Sequence, residues 1–245
     1  YMLNTIYKEV PASLQDTYFE YIASTIMNNA FSNMDITKMM KVAQSIGELT
    51  KNRHFYAYTF HDDEAKYFQG AGLAKGTPDS ETDPEVGIYL NEQNPSKLGW
   101  YIDRKAQITK TGQNADGSKT YHVTYTLTNT LTSSEMATCT GYILGGEQAG
   151  VTGKPVAAPG TSAQRMLFYA PKGGSISEIT SSGDVRDKSN AVMDDQKLVT
   201  NVAYIAPGES VTFDFDVTTS PKAESDLTID QTPSGKVTNE VNYQY

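Results

Sequence analysis

The feature that most constrains the fold is a strict alternation of apolar and polar residues, which recurs many times after residue 86. It is clearest in residues 120–128, where the apolar members are Tyr121, Val123, Tyr125 and Leu127. Strand side chains point alternately to two faces, so this period of two predicts one buried and one solvated face. An Asp-Gly turn precedes this run. We therefore predict a β-hairpin over residues 99–128, with Trp100 near its start.

The same alternation predicts further strands. The clearest covers residues 210–218, where Val211, Phe213, Phe215 and Val217 share the inner face. The other predicted strands are residues 87–90, 137–144, 164–170, 227–229 and 237–243, with one more inside 191–206. Many short strands joined by Gly, Pro and Asp turns are typical of an antiparallel sandwich. We predict the immunoglobulin-like version, which does not require a disulfide.

Before residue 86 the apolar residues are spaced as in helices. A wide apolar stripe predicts a first helix over residues 11–31, and a second stripe predicts a helix over residues 35–51, with Asp35 as its N-cap. The two helices are expected to form a helical hairpin. Residues 54–60 alternate like a strand, and the acids after them favour a short helix over residues 62–69. The fold class predicted is therefore α+β.

Residues 75–85 combine glycine, two prolines and several acids, which is typical of a linker. This segment predicts two domains: a helical module over residues 1–85, with one strand and a short third helix, and a β-sandwich over residues 86–245. The chain opens with Tyr-Met-Leu, as the middle of a longer protein would. We expect it to have been cut from something longer.

Composition excludes several classes of protein. The net charge is −9 and the basic residues do not cluster, so nucleic-acid binding is not expected. A single cysteine, Cys139, excludes an internal disulfide and a cysteine-based zinc cluster. No run approaches the roughly 20 apolar residues needed to span a bilayer. Any membrane contact is therefore expected only through a segment outside this chain.

The order of these segments resembles one family, the membrane-anchored proteins, mostly from actinobacteria, that are catalogued as domain of unknown function 4012. The most specific match runs from Val86 through Asn91, Ser96–Leu98 and Trp100–Tyr101 to Asp103–Arg104. Weaker matches are Asn4–Lys8, Gln15–Phe19, Phe55–Tyr67, Thr124–Thr130, Tyr169–Pro171 and Gly208. The resemblance implies an extracellular location at the cell envelope of a Gram-positive bacterium. The family has no established activity, so the resemblance supplies no catalytic residues.

Acidic residues supply the strongest candidates for chemistry, and each has a simpler interpretation. His61 with residues 62–64 could bind a metal, but these acids also suit a helix N-terminus. Glu81, Asp83 and Glu85 do not form a calcium-loop pattern and are expected in a solvated linker. Asp214 and Asp216 share a strand face and could act as paired carboxylates. An exposed sheet face explains them better.

Other candidate groups are weaker still. His54, His61 and His122 form no catalytic motif, although sequence cannot exclude a Ser-His-Asp triad. Residues 146–154 superficially match a phosphate loop, but the spacing is wrong and proline follows the lysine. Cys139 is expected to be a small buried residue rather than a nucleophile, and the Asp103–Arg104 pair is expected to be a structural ion pair. Core packing is the preferred explanation for the methionines 39 and 40 and for the aromatic residues 55–60.

The sequence therefore predicts no catalytic, metal-binding or cofactor-binding residues, and it leaves the binding residues unknown. We expect a structural or binding module without catalysis of its own, whose partner is a cell-wall glycan or another envelope protein. The loop over residues 145–160 is the expected contact surface, because sandwiches carry function in their loops. Exposed tyrosines that stack on sugars are a secondary route to glycan binding. The alternative is an enzyme acting on cell-wall glycopolymers or their lipid-linked precursors, of which this chain supplies part. If so, the helices should expose an apolar face.

Overall fold

The computed structural model describes residue 2 and residues 4–51, 53–145, 156–193, 196–236 and 239–245. The chain divides into two compact units, Tyr1–Gly76 and Thr77–Tyr245. The division falls inside the glycine- and proline-containing segment 75–85. The first unit is helical and the second is built from two sheets, so the α+β class is confirmed.

The helical unit begins with a short helix and continues with three longer ones. They are α1 (Thr5–Glu9), α2 (Ala12–Phe31), α3 (Ile36–Lys51) and α4 (Asp62–Gly70). The last three confirm the predicted helices to within one residue at each end. Asp35 caps α3 as predicted, because its Oδ1 accepts the backbone N–H of Lys38 at 2.7 Å. Three acids occupy the first turn of α4, where they face the positive end of the helix dipole.

Two expectations for the helical unit are wrong. Residues 54–60 form no strand, because alternation produces a strand only where a neighbouring strand supplies hydrogen bonds, and the described residues offer none here. The methionines and aromatic residues are not core residues either: Met39, Met40 and Phe60 are 58%, 68% and 91% exposed. The apolar residues of α3 spread over more of the helix surface than is buried in the structure. Val42 and Ile46 are half-buried, whereas Met39 and Met40 lie outside the covered part.

The second unit contains eleven described strands and three short helices. In order they are β1 (Glu85–Glu92), a 3-10 helix (Leu98–Tyr101), β2 (Ile102–Gln113), β3 (Lys119–Asn129), α5 (Ser133–Thr138), α6 (Gly141–Leu144), β4 (Ser162–Tyr169), β5 (Ser175–Ile176), β6 (Thr180–Ser181), β7 (Asp184–Met193), β8 (Gln196–Ile205), β9 (Ser210–Thr218), β10 (Thr228–Gln231) and β11 (Glu240–Gln244). Sheet A has the order β10-β1-β4-β8-β7. Sheet B has the order β11-β2-β3-β9-β5, with β6 also paired to β9.

The predicted hairpin is formed by β2 and β3, which pair antiparallel from Ile102–Asn129 to the turn. Gly117 in that turn has a φ of +93°, which the absence of a side chain permits. Trp100 lies in the preceding 3-10 helix rather than in the strand, so the hairpin starts later than predicted. The inner faces of β3 and β9 are as predicted, with all eight of their alternating apolar residues buried.

Residues of both sheets form one hydrophobic core. Phe168 of sheet A packs edge-on against Phe213 of sheet B, with ring centroids 5.2 Å apart. Two tyrosines of β3 are buried in this core, and their hydroxyls donate to Asp226 and Gln231 at 2.7 and 2.8 Å. Each ring therefore adds apolar area without leaving a polar group unpaired.

Two strand pairings are parallel, so the prediction of a purely antiparallel sandwich is wrong at these places. β10 runs parallel to β1, and β11 runs parallel to β2. The chain passes from sheet B to sheet A after β9 and returns after β10, so these strands join the sheets by crossovers rather than hairpins. Alternation reports which face is buried and does not report the direction of the neighbouring strand.

The strand predicted over residues 137–144 is also wrong, because α5 and α6 occupy this segment. Thr132 Oγ1 accepts the N–H of Glu135 at 3.2 Å, and Glu135 Oε2 accepts the N–H of Thr132 at 3.0 Å. This capping box fixes a helix start and outweighs the short apolar run. Residues 146–155, which include most of the predicted contact loop and the phosphate-loop-like run, lie outside the described residues.

Candidate binding site between two sheet edges

The acidic candidates from the sequence make ordinary structural contacts. Among the described residues, no three His, Cys, Asp or Glu side chains come together to hold a metal ion. Glu64 accepts the hydroxyl of Thr59 at 2.7 Å beside the start of α4. Glu81 pairs with Lys222 at 2.6 Å, and the lysine holds the pKa of that carboxyl below its usual value. The geometry of these groups is that of helix-start and surface interactions.

Asp214 and Asp216 come close to a histidine on the outer face of sheet B. His122 Nδ1 lies 2.9 Å from Asp216 Oδ1, and its Nε2 lies 3.6 Å from Asp214 Oδ1. Thr124 donates its hydroxyl to Asp214 at 2.7 Å. All of these groups lie on two adjacent strands, on the face opposite the core. The cluster is therefore a cross-strand surface pair of the kind that stabilises sheets modestly.

Asp103 and Arg104 do not pair with each other as predicted. The Asp103 carboxylate accepts Lys236 Nζ, and the Arg104 guanidinium donates to the carbonyl of Thr232. Both contacts tie β2 to the segment before β11, so the role is structural but the partners are different. Adjacent residues of a strand point to opposite faces, which prevents the predicted pair. Cys139 is only partly buried, with its Sγ 3.5 Å from the hydroxyl of Tyr101.

Sequence reasoning missed a partly buried carboxylate at the end of β1. Glu92 Oε1 accepts the N–H groups of Asn94 and Ala163 at 3.0 and 2.9 Å. Its Oε2 accepts Ser162 Oγ at 2.6 Å and Gln164 Nε2 at 2.9 Å. Burial raises the pKa of the Glu92 carboxyl, and these donors oppose the rise. With every oxygen occupied by the protein, this carboxylate clamps β1 to β4 and offers little to a ligand. Alternation could have revealed it, because Glu92 follows three inward-facing residues of β1 at a spacing of two.

The second unit contains an open pocket of about 670 Å³ between the edges of its two sheets. Phe168, Val199 and Leu198 of sheet A and Ile176 of sheet B supply its apolar lining. The remaining lining residues are Ala170, Gly174, Ser175, Asn190, Ala191, Val192 and Lys197. Sequence reasoning did not predict this pocket, because it arises where β5 is only two residues long and β7 is ten.

The pocket has the size and lining of a site for a small molecule or a side chain. Its walls are mostly apolar, and its polar lining residues belong to β5, β7 and β8. Among the described lining residues, Lys197 is the only charged one. The set lacks the paired acid and base that proton transfer needs. The arrangement can therefore hold an apolar group against its walls.

No family model matches the chain. Among curated proteins there is no significant match either. Among solved structures, the chain is similar to a Legionella pneumophila protein described as a "putative nutrient binding protein", with 13% identity and a TM-score of 0.28. The alignment covers 57% of this chain and 44% of that chain, so this chain spans less than half of the matched structure. A likeness this weak carries no argument about function.

Proposed function

We propose that this chain is the extracytoplasmic part of a membrane-anchored cell-envelope protein of a Gram-positive bacterium. We assign it to the largely actinobacterial family catalogued as domain of unknown function 4012, and we propose that its second unit is an immunoglobulin-like β-sandwich. In this proposal the chain is a structural or binding module without catalysis of its own. In the described part of the chain, no helix is both long enough and apolar enough to cross a bilayer.

The observation that carries the binding function is the apolar pocket at the open edge of the two sheets. Apolar concave sites with a few placed polar groups are the usual form of ligand sites. Val192 on its rim is 69% exposed. An uncovered apolar rim of this kind favours a partner that covers it. The partner class in this proposal is a cell-wall glycan or another envelope protein.

The test uses the full-length protein and purified cell-wall polymer. Binding is measured by co-sedimentation for the full-length protein, for a version without residues 77–245, and for an Asn190→Trp variant that places a ring in the pocket, since Asn190 lies on the inner face of β7 and lines it. Ser181→Trp is the control, because Ser181 is also an exposed strand residue but does not line the pocket. The proposal expects binding that the deletion and Asn190→Trp abolish and Ser181→Trp retains. Equal binding by all four proteins contradicts it.

One observation favours a second function, as part of an enzyme acting on cell-wall glycopolymers or their lipid-linked precursors. The helical unit exposes many large apolar side chains, as expected if another part of a catalytic domain covers them. The most exposed on α2 and α3 are Tyr21, Ile26, Ile36, Met39 and Met40. The test is turnover of lipid-linked glycopolymer precursor by full-length protein. Activity that survives removal of residues 1–76 would contradict this second function for the helical unit.

A further inference from the structure

The long edge strand β7 has the form of a docking edge for an extended polypeptide. Sheet A ends at β7, and no strand pairs with its outer side in the part of the chain that the structure describes. An edge strand directs half of its backbone N–H and C=O groups away from its only neighbour. Those groups are satisfied by water or by an added strand. Their regular spacing along the strand matches the main chain of an extended polypeptide.

The other sheet edges are formed by much shorter strands. Among the described strands, β10 has four residues, β11 has five, and β5 and β6 have two each. β7 has ten. Short edge strands are a usual protection against unwanted pairing, because they offer few hydrogen-bonding groups. β7 lacks this protection.

The two halves of β7 differ in how well they are protected against pairing with an added strand. In the first half, the pairing with β8 is interrupted between Arg186 and Ser189, and Asp187 has a φ of +55°. Arg186 and Lys188 add ion pairs with Asp184 and Glu178 in this half. Bulges and edge charges both oppose strand addition. In the second half, Ser189–Met193, the pairing is regular and no residue is charged.

The pocket lies on the inner side of sheet A, next to the second half of β7. Asn190 is paired with Val199, whose side chain packs against the core, so Asn190 and Val192 point to the inner side of sheet A. Both line the pocket. A strand added beside β7 would place its inward side chains next to these two residues, because directly opposite residues share a face. Such side chains would then enter a pocket lined by Phe168 and Ile176.

We propose that Ser189–Met193 of β7 binds an extended segment of another envelope polypeptide by strand addition, and that an apolar side chain of this segment fills the pocket. This inference rests on the proposed binding function and names its partner class. The alternating pattern of the partner follows from the site. Its inward positions are apolar, preferably aromatic given the pocket volume, and its outward positions are polar. Pairing with a second copy of this chain is less suitable, because the short Asn190 and Val192 side chains would not fill the pocket.

The experiment uses the full chain and capped, fluorescein-labelled peptides that alternate threonine with an apolar residue, varied over Val, Leu, Ile, Phe and Tyr. Fluorescence anisotropy measures binding, and hydrogen exchange measures protection of the β7 amides. We expect at least one peptide to bind and to protect amides within Ser189–Met193. The same peptide with alternate amides N-methylated should bind at least about tenfold more weakly, since it cannot complete the ladder. Asn190→Trp, which places a ring in the pocket, should weaken binding by a similar factor, and Ser181→Trp should not.

Each other result overturns the inference. Equal affinity of the N-methylated peptide would mean that the pocket binds an apolar group without strand addition. Protection of β7 in the absence of peptide, with a dimer by light scattering, would mean that a second copy occupies the edge. If no peptide binds, the polypeptide partner is wrong. The co-sedimentation assay with cell-wall polymer then decides separately whether the proposed binding function is also wrong.

Discussion

Replacing Glu92 tests whether one carboxylate holds the end of β1 against the start of β4. In Glu92→Ala, the hydroxyl of Ser162 and the amide of Gln164 keep their mutual hydrogen bond of 2.8 Å. The backbone N–H groups of Ala163 and Asn94 lose their side-chain acceptor. An unsatisfied buried donor costs about 1–3 kcal/mol. Removing the buried charge offsets part of this cost, since burial disfavours the ionised form.

The net destabilisation of Glu92→Ala is therefore about 2 kcal/mol. For a unit of this size, that lowers the melting temperature by roughly 4–8 °C. Trp100 is the only tryptophan of the chain and lies in the second unit, so urea unfolding followed by its fluorescence reports on that unit alone. A loss under about 0.5 kcal/mol, as for an ordinary surface substitution, would refute the argument that Glu92 is an essential clamp.

Glu92→Gln isolates the charge of the same clamp. The folded-state pKa of Glu92 is raised above its ordinary value of 4.5, so the folded protein holds a proton that the unfolded chain has lost. Stability contributed by this group is therefore present below about 4.5 and falls as the pH rises through the folded-state pKa. The difference in unfolding free energy between wild type and Glu92→Gln should fall across that window and then level off. A difference that rises with pH would contradict the burial argument.

Four other substitutions test the remaining elements. Phe168→Ala removes a ring from the core between the sheets and should cost about 3–5 kcal/mol in the same urea assay. Gly174→Ala would place a Cβ 2.3 Å from the carbonyl oxygen of Thr218, so it should displace β5 and cost about 1–3 kcal/mol, seen as a lower melting temperature. Tyr121→Phe removes a hydroxyl that donates to a carboxylate and should cost about 1–2 kcal/mol by urea unfolding. Asp35→Ala removes the cap of α3 and should reduce the helical signal at 222 nm on warming, with a loss of about 1 kcal/mol.

The elements recovered from sequence are those whose signal is local. The acid-led start of α4 and the Asp35 cap report directly on backbone amides a few residues away. Alternation in β9 reports which side chains are buried, and the Asp-Gly turn fixes the register of the β2–β3 hairpin. These features depend on physics within about ten residues, so one sequence is enough to predict them.

The elements that sequence did not reveal depend on distant segments. Residues 54–60 alternate as well as β9 does, but they have no neighbouring strand among the described residues. The parallel direction of β10 and β11 depends on crossovers between sheets. The pocket depends on the difference in length between β5 and β7, which belong to different sheets. No local pattern encodes that difference, so the candidate site could not be predicted, although two of its four strands, β4 and β8, were.

The helical unit also shows that a local sequence pattern does not identify the surface that packs against it. Helical spacing correctly marks an apolar side on α3, and this side is wider than the part that the chain itself covers. Val42 and Ile46 are half-buried, whereas Met39 and Met40 remain mostly exposed. A hydrophobic pattern states that a surface gains free energy when covered, and it does not state what covers it. Binding experiments, rather than the spacing of the apolar residues, are therefore needed to show what contacts Met39 and Met40.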